Sequence, residues 1–396
     1  MSVGGAKPRQ RPCETPRLGG AFRSCAILVT CVSCGERLHS HLGQCIGVLH
    51  PLPARDAYVW YMQLSEHESL ASHTTLRVGG PARFFVRAST ADDIEAAIRF
   101  ARIHALPFFF LGGGSNLLVC DEGYRGVIIK LETSGIQVTE HRDTVTYVVE
   151  AGESWDVFVA RTCDDGCWGL ENLSGIPGTA GAAPIQNIGA YGMEIGEALS
   201  WVEAIDTETY ALVRFDRTQC RFAYRDSRFK HAPGRYCIVR IACTLSKQPT
   251  PRLAYADVAQ VFANRMPATP AEVRTAIRAI RARKFPDLTK EGSAGSFFLN
   301  PVVSSDKAAA LLAQYPGLPH YQTPDGEKLS LAWLLDHALA LRGYRYGGAR
   351  LYEKQPLVVV TDHTATAADV CALQKHIAMQ AQSRLHLSLT PEVRII

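Results

Sequence analysis

The segment from Ser174 to Gly192 constrains this chain more than any other. Gly175, Gly178, Gly181, Gly189 and Gly192 fall within it, together with Pro177 and Pro184, and its apolar residues are mostly small. Such a composition sustains neither an ordinary helix nor a strand. It lets the backbone approach a bulky group closely and leaves bare N–H groups as donors. A flat, anionic cofactor suits that surface. The alternative is a linker, but linkers are rich in Ser and charged residues, and this run has one Ser and no charge.

A second segment of the same kind lies upstream. Residues 106–111 read as a buried strand that runs into Gly112, Gly113, Gly114, Ser115 and Asn116, followed by the apolar Leu117, Leu118 and Val119. A strand that ends in three glycines and a Ser-Asn pair suits a phosphate nest of backbone amides; a tight hairpin is the alternative. The dinucleotide fingerprint is not met, because Leu117 stands where its third glycine belongs, and no Gly-Lys-Ser/Thr follows to make a P-loop.

The length of 396 residues predicts two or three domains. No apolar run approaches the ~20 residues of a membrane span, so no membrane insertion is expected. Residues 1–61 hold seven Lys/Arg against three Asp/Glu, which accounts for the whole formal charge of +4. The rest is formally neutral, and no basic stripe interleaved with aromatics points to nucleic acid. Five of the twelve cysteines also precede residue 62. The irregular set argues for reduced cytosolic thiols, not a disulfide framework. Cys31 and Cys34, with His39, His41 and Cys45 nearby, suggest zinc, but no second Cys-x-x-Cys completes the site. Residues 1–61 lack an apolar period and read as an extension outside the fold, with Met62 as the expected start of the structured protein.

From Met62 the pattern is mixed. Strands are expected over 83–89, 108–111, 127–131, 144–150, 201–206, 212–215, 236–245 and 357–361. Thr90 caps a helix whose first turn holds Asp92 and Asp93 and whose inner face is Ile94, Ala97, Ile98 and Ala101. Ser154 caps a second, ending near Gly166. Thr269-Pro270-Ala271-Glu272 reads as a capping box opening a third, with Val273, Ile277 and Ile280 inward and Arg281, Arg283 and Lys284 in its last turn. Pro286 breaks the chain. A Gly/Ser turn over 292–296, helices near 305–314, 331–341 and 365–384, and a strand-like tail over 387–396 follow. The order implies α+β domains without internal repeats.

Six blocks, taken together, resemble the UDP-N-acetylenolpyruvoylglucosamine reductase family. They are residues 73–80, 112–119, 169–192, Tyr224-Arg225-Asp226-Ser227, Gly295-Ser296-Phe297-Phe298 with Asn300-Pro301, and Pro391-Glu392-Val393-Arg394. They stand in family order from about Met62 to the end, and they match the subclass with the longer substrate domain. His73 departs from the family's usual Asn. The resemblance implies an FAD-binding fold of the vanillyl-alcohol-oxidase type with a separate C-terminal α+β substrate-binding domain. The divisions it implies are 62–131 and 132–284 for two FAD-binding subdomains, 285–385 for the substrate-binding domain, and 386–396 for a strand returning to the active site.

The resemblance further implies non-covalent FAD, since neither loop offers an obvious His or Cys for attachment. Cofactor contacts are expected from Gly112, Gly113, Gly114, Ser115, Asn116, Gly178, Thr179, Gly181, Ala182, Gln186, Asn187, Gly189, Ala190 and Tyr191. NADPH is the implied hydride donor, and the enolpyruvyl ether of UDP-N-acetylglucosamine is the implied substrate. Arg225, Ser296 and Glu392 take the catalytic roles: a guanidinium fork for the carboxylate, a proton donor, and a polarising carboxyl. Tyr255, Lys284 and Asn300 are the implied substrate contacts. A cytoplasmic monomer without metal is expected. Two other readings stay open: an FAD-dependent sugar or alcohol oxidase or dehydrogenase of the same fold, and a non-enzymatic nucleotide-sugar-binding protein.

Overall fold

The structure, a computed structural model, describes residues 62–396. The expectations placed on residues 1–61, zinc included, lie outside the described residues. The strands Pro81–Ala88, Tyr124–Leu131 and Phe108–Leu111 pair in parallel, and Gln63–Ser69 closes one edge antiparallel to Pro81–Ala88. Parallel neighbours need a crossover, and helix Ala91–Ile103 supplies it. Thr90 caps that helix as the sequence predicts: its hydroxyl accepts from the Asp93 amide, and the Asp93 carboxylate accepts from the Thr90 amide. Ile94, Ala97, Ile98 and Ala101 are buried beneath it.

A five-stranded antiparallel sheet follows, in the order Leu212–Asp216, Leu199–Asp206, Tyr236–Ser246, Thr144–Glu150, Ile136–Glu140. Val145, Tyr147 and Val149 alternate inward with the strand period of two. They meet Trp155, Phe158 and Val159 of helix Trp155–Asp164. Burying a side chain such as Phe158 contributes about 1.5–3 kcal/mol. A shared core of Val86, Ile94, Ile129, Ile205, Cys237 and Val239 joins this sheet to the first.

The C-terminal domain has its own core. Helix Ala367–Leu385 packs on the sheet Gly292–Ser296, Gln355–Thr361, Ala349–Tyr352, Arg345–Tyr346 through Leu351, Val359, Val370, Leu373 and Ile377, while helix Ser305–Gln314 lies against strand Gly326–Leu329 and adds Leu311 to the same core. Leu76, Val78 and Leu118 of the first body enter the same core.

Several local expectations are corrected. Residues 292–296 form an edge strand, not a turn: Ser293 pairs with Val360 and Ser296 with Val358, across a bulge. Gly and Ser suit it because backbone packs closely there; a Cβ on Gly292 would lie 2.4 Å from the Leu76 carbonyl oxygen. Ser154 stands at the helix N-cap without a side-chain cap bond, and its backbone bridges to Thr179 instead. Only half of the Thr269 capping box forms: the hydroxyl accepts from the Glu272 amide, while the Glu272 carboxylate turns to Arg265 at 2.5 Å. The helix expected over 331–341 is a short Leu331–Trp333 turn running into a π-turn at Leu334–Ala338. The strand-like tail reduces to Arg394–Ile395, parallel to Leu117–Leu118. Among the described residues no helix is long and apolar enough to cross a membrane.

Candidate active site

The two glycine-rich segments lie against each other. A Cβ on Gly113 would stand 2.6 Å from the Gly178 Cα, and one on Gly112 would stand 2.7 Å from Thr179 Oγ1 and 3.1 Å from the Ala182 Cβ. Only glycine permits this approach. Ser115 donates to the Pro177 carbonyl at 3.0 Å, and Asn116 Nδ2 donates to Gln186 Oε1 at 2.7 Å. The amides of Ala180 and Gly181 donate to Glu153 and Ala151 carbonyls, pinning the second loop to the five-stranded sheet's border.

This cradle leaves donors over. Among the described residues, the amides of residues 112–116 meet no carbonyl or side-chain acceptor. The buried hydroxyls of Thr74 and Thr179 have no partner either. Buried polar groups are normally paired, so this surface calls for an acceptor-rich ligand. Lys130 donates to the Gly112 carbonyl from below, and burial lowers its pKa. The donor set fits FAD, with its pyrophosphate and its polar ring edge; residues 112–116 and 178–182 would hold it.

At the cradle's other end, three separate segments meet. Arg225 sits at the corner of a turn closed by hydrogen bonds between Ala223 and Asp226, with φ of +100°. A non-glycine residue there is strained and persists only where its surroundings over-determine it. Arg225 Nη1 donates to the Asn187 carbonyl at 3.1 Å and Nη2 to the Gly189 carbonyl at 2.5 Å. Its Nε lies 3.6 Å from Glu392 Oε1. A Cβ on Gly189 would stand 2.7 Å from Arg225 Nη1 and 2.9 Å from the Met193 carbonyl oxygen, so a side chain there would displace the guanidinium. Glu392 is held by its backbone: its amide donates to the Phe297 carbonyl at 2.9 Å, and its carbonyl accepts from Asn116 Nδ2 at 3.0 Å. Phe297 follows Ser296, so this hydrogen bond ties the backbone of Glu392 to the strand that carries the serine. Burial raises the Glu392 pKa, opposed by Arg225 and then Lys230. The site therefore joins a fixed guanidinium and a carboxyl whose pKa burial raises, tied by backbone to the segment after Ser296 and to Asn116 of the first glycine loop.

Comparison with known proteins decides the family. An FAD-binding domain model matches residues 82–211, and the UDP-N-acetylenolpyruvoylglucosamine reductase C-terminal domain model matches residues 287–396. The reductase of Neisseria gonorrhoeae is 40% identical over 330 residues, covering 82% of this chain and 94% of that protein. That of Burkholderia cenocepacia is 41% identical over 349 residues, covering 86% and 99%. The chain belongs to the UDP-N-acetylenolpyruvoylglucosamine reductase family. The crystal structure of the Thermus caldophilus reductase matches with a TM-score of 0.61 at 24% identity, over 85% of this chain and 99% of that one, which shows the shared fold. An FAD-dependent oxidoreductase of α+β class follows from these matches.

Other residues expected in a reductase site are placed unevenly. Tyr255 precedes helix Ala256–Val261 and packs edge-on against Tyr191, ring centroids 5.2 Å apart. Lys284 does not stand free at its helix end; Nζ pairs with Asp257 at 2.5 Å. Asn300 Oδ1 accepts from the Leu331 amide at 3.0 Å, and its side chain lies near the Tyr224 hydroxyl. Asn187 serves the framework: its side chain binds Glu194, the Ala223 carbonyl and the Gly196 amide. Gly189 and Ala190 form one strand of a small hairpin with Met193–Glu194. Tyr191 is buried at positive φ, and burial pushes its hydroxyl up to about 12. His73 lies beside the first glycine loop, stacked on Phe85 and bonded to Glu68 at 2.9 Å.

Sequence reading missed three residues here. Tyr224 borders Arg225 and Asn300, and Lys328 Nζ stands over its ring at 4.4 Å. Lys130 underlies the nest. Tyr224 lay inside a quoted block without a role. Lys328 and Lys130 carry no local signal, since one is a hairpin lysine and the other a charge inside an apolar strand.

Proposed function

We propose that this chain catalyses NADPH-dependent reduction of the enolpyruvyl ether of UDP-N-acetylglucosamine to UDP-N-acetylmuramate, with Arg225, Ser296 and Glu392 as its catalytic residues. The Arg225–Glu392 pair, tied through the Glu392 amide to Phe297, the residue after Ser296, is the observation that supports this reading. FAD, when bound, carries hydride from NADPH to the substrate alkene. The rest falls to the protein. Negative charge develops on the carbon next to the carboxylate, and a pre-placed donor stabilises it without reorganisation. Arg225 has five N–H donors; two bind carbonyls and Nε lies on the Glu392 side at 3.6 Å, which leaves two for a planar carboxylate. Glu392, biased toward its protonated form, supplies a further hydrogen bond. Ser296 delivers the final proton to the α-carbon; a carbanion-like base is strong enough to take it from a hydroxyl. An oxidase would need no such donor pair.

Tyr255 and Lys284 would grip the substrate diphosphate, Asn300 would contact the substrate nearby, and the residues of the two glycine loops would hold FAD non-covalently. The same reading makes the protein a cytoplasmic monomer. It also makes it a participant in cell-wall synthesis, and so in cell shape, division and the cell cycle. The test is anaerobic stopped-flow absorbance. NADPH should bleach the bound flavin, and the enolpyruvyl sugar should restore it. Reoxidation by oxygen alone, with no response to the sugar, would replace the reductase with an oxidase. A protein that never takes up flavin would leave only the nucleotide-sugar binder.

A further inference from the structure

Of the seven described cysteines, five are buried and two, Cys120 and Cys371, are half-buried. Those two stand on opposite sides of the domain boundary. Cys120 follows strand Leu117–Leu118, and its amide donates to the Ile396 carbonyl at 2.8 Å. Cys371 lies on helix Ala367–Leu385 of the C-terminal domain. Asp121, next in the chain to Cys120, pins the boundary here. Its two carboxylate oxygens accept from the amides of Ala367 and Ala368, each at 2.8 Å. An acidic group at a helix N-terminus is favourably placed, and the two-pronged contact fixes this loop on the helix. Cys371 is four residues beyond Ala367, on the same helix face. The clamp seats the Cys120 loop on the first turn of the helix that carries Cys371, close enough for Cys371 to feel the charge of Cys120. Burial raises the Cys371 thiol first, and the charge of a Cys120 thiolate next, with Lys375 opposing. The reductase chemistry uses neither sulfur.

We infer that Cys120 and Cys371 form a paired oxidation site whose product is a disulfide stapling the flavin-binding body to the C-terminal domain. The oxidant is a hydroperoxide. The Cys120 sulfur attacks one peroxide oxygen; the O–O bond breaks, a sulfenic acid forms, and the other oxygen leaves as water or alcohol. Cys371, kept protonated by its surroundings, is the resolving thiol. Its sulfur attacks the sulfenic sulfur, the S–S bond forms, the S–O bond breaks, and a water leaves with the Cys371 proton. Two thiols lose two electrons, and the peroxide gains them. Disulfides in a reducing compartment are characteristically transient and redox-sensing, and this one would close a long loop, where a cross-link constrains the unfolded chain most.

The experiment uses the full chain with FAD bound. Protein is exposed to a few equivalents of hydrogen peroxide, blocked with N-ethylmaleimide, digested and mapped by mass spectrometry. The expected result is a dithiothreitol-reversible Cys120–Cys371 peptide as the main cross-link, with a melting temperature several degrees above that of the reduced protein. Cys120→Ser and Cys371→Ser should each remove both the cross-link and the shift. The wild-type map stands without the variants, should either fold poorly. Both thiols remaining alkylatable would overturn the inference. So would sulfinic acid on one with the other untouched, a disulfide to any other cysteine, or a cross-link that leaves the melting temperature unchanged.

Discussion

The flavin cradle and the charged end of the site are built in opposite ways. The cradle is backbone: two glycine loops in contact, with amides at residues 112–116 and two buried hydroxyls that have no partner among the described residues. The charged end is side chain: Arg225, Ser296 and Glu392 come from three distant segments, with Arg225 fixed by the carbonyls of Asn187 and Gly189 and Glu392 by the Phe297 carbonyl and the Asn116 amide group. A backbone site tolerates no added atom. A side-chain site tolerates no change of functional group. The two should therefore fail differently, the first by losing cofactor and fold, the second by losing rate.

The sharpest separation comes from Ser296→Ala. Flavin reduction by NADPH should stay near wild type, while reoxidation by the enolpyruvyl sugar should slow by roughly 10²–10⁴-fold, the usual reach of a positioned proton donor. Stopped-flow absorbance of each half-reaction reads this directly. Equal slowing of both halves would remove Ser296 from the proton-donor role.

Arg225→Lys should be nearly as damaging as Arg225→Ala in the same oxidative step. Lysine keeps the charge but cannot bind two carbonyls, face Glu392 and still present parallel donors to a carboxylate. One lost donor of this kind costs about 2.7–4 kcal/mol in rate. Substrate Kd should change less than kcat. A lysine variant within a few-fold of wild type would mean that charge alone suffices there.

The cradle should answer in stability and flavin affinity. Gly113→Ala drives a Cβ into the Gly178 backbone; overpacking of this kind costs about 1–3 kcal/mol, seen as a lower Tm and weaker FAD binding. Thr179→Val is subtler. It removes a buried hydroxyl that has no protein partner, so the apoprotein should be no less stable. FAD should bind about tenfold more weakly, a loss of ~1.4 kcal/mol. Unchanged flavin affinity in a fluorescence titration would take Thr179 out of the cradle.

The smallest effect is one of shape. Burial sets the folded pKa of Glu392 above its unfolded value. Across that window the folded state binds more protons than the unfolded one. Its contribution to stability is therefore present at low pH and lost as pH rises through the folded pKa. Reoxidation that needs the protonated carboxyl should fall over the same window, giving an alkaline limb in the rate profile. Glu392→Gln, which keeps an N–H donor at all pH values, should flatten that limb. An unchanged limb would assign it to another group.

What could be read directly from the chain was whatever the backbone dictates locally. The glycine runs announced close approach because only glycine allows it, and the capped helix at Thr90 and the alternating strand Thr144–Glu150 followed from side-chain chemistry and period. The roles proposed for Arg225, Ser296 and Glu392 come only through family resemblance, since each alone reads as an ordinary surface residue. Tertiary structure decided the rest. It turned the Gly/Ser stretch at Gly292–Ser296 into a bulged edge strand, because pairing with Gln355–Thr361 outweighs a weak local preference. It directed Lys284 to Asp257 and placed Lys328 over Tyr224, since a long charged side chain takes the partner that packing brings near it. It also held Arg225 in a strained conformation that no local preference favours. The carbonyls of Asn187 and Gly189, far away in the chain, fix the guanidinium that this conformation presents.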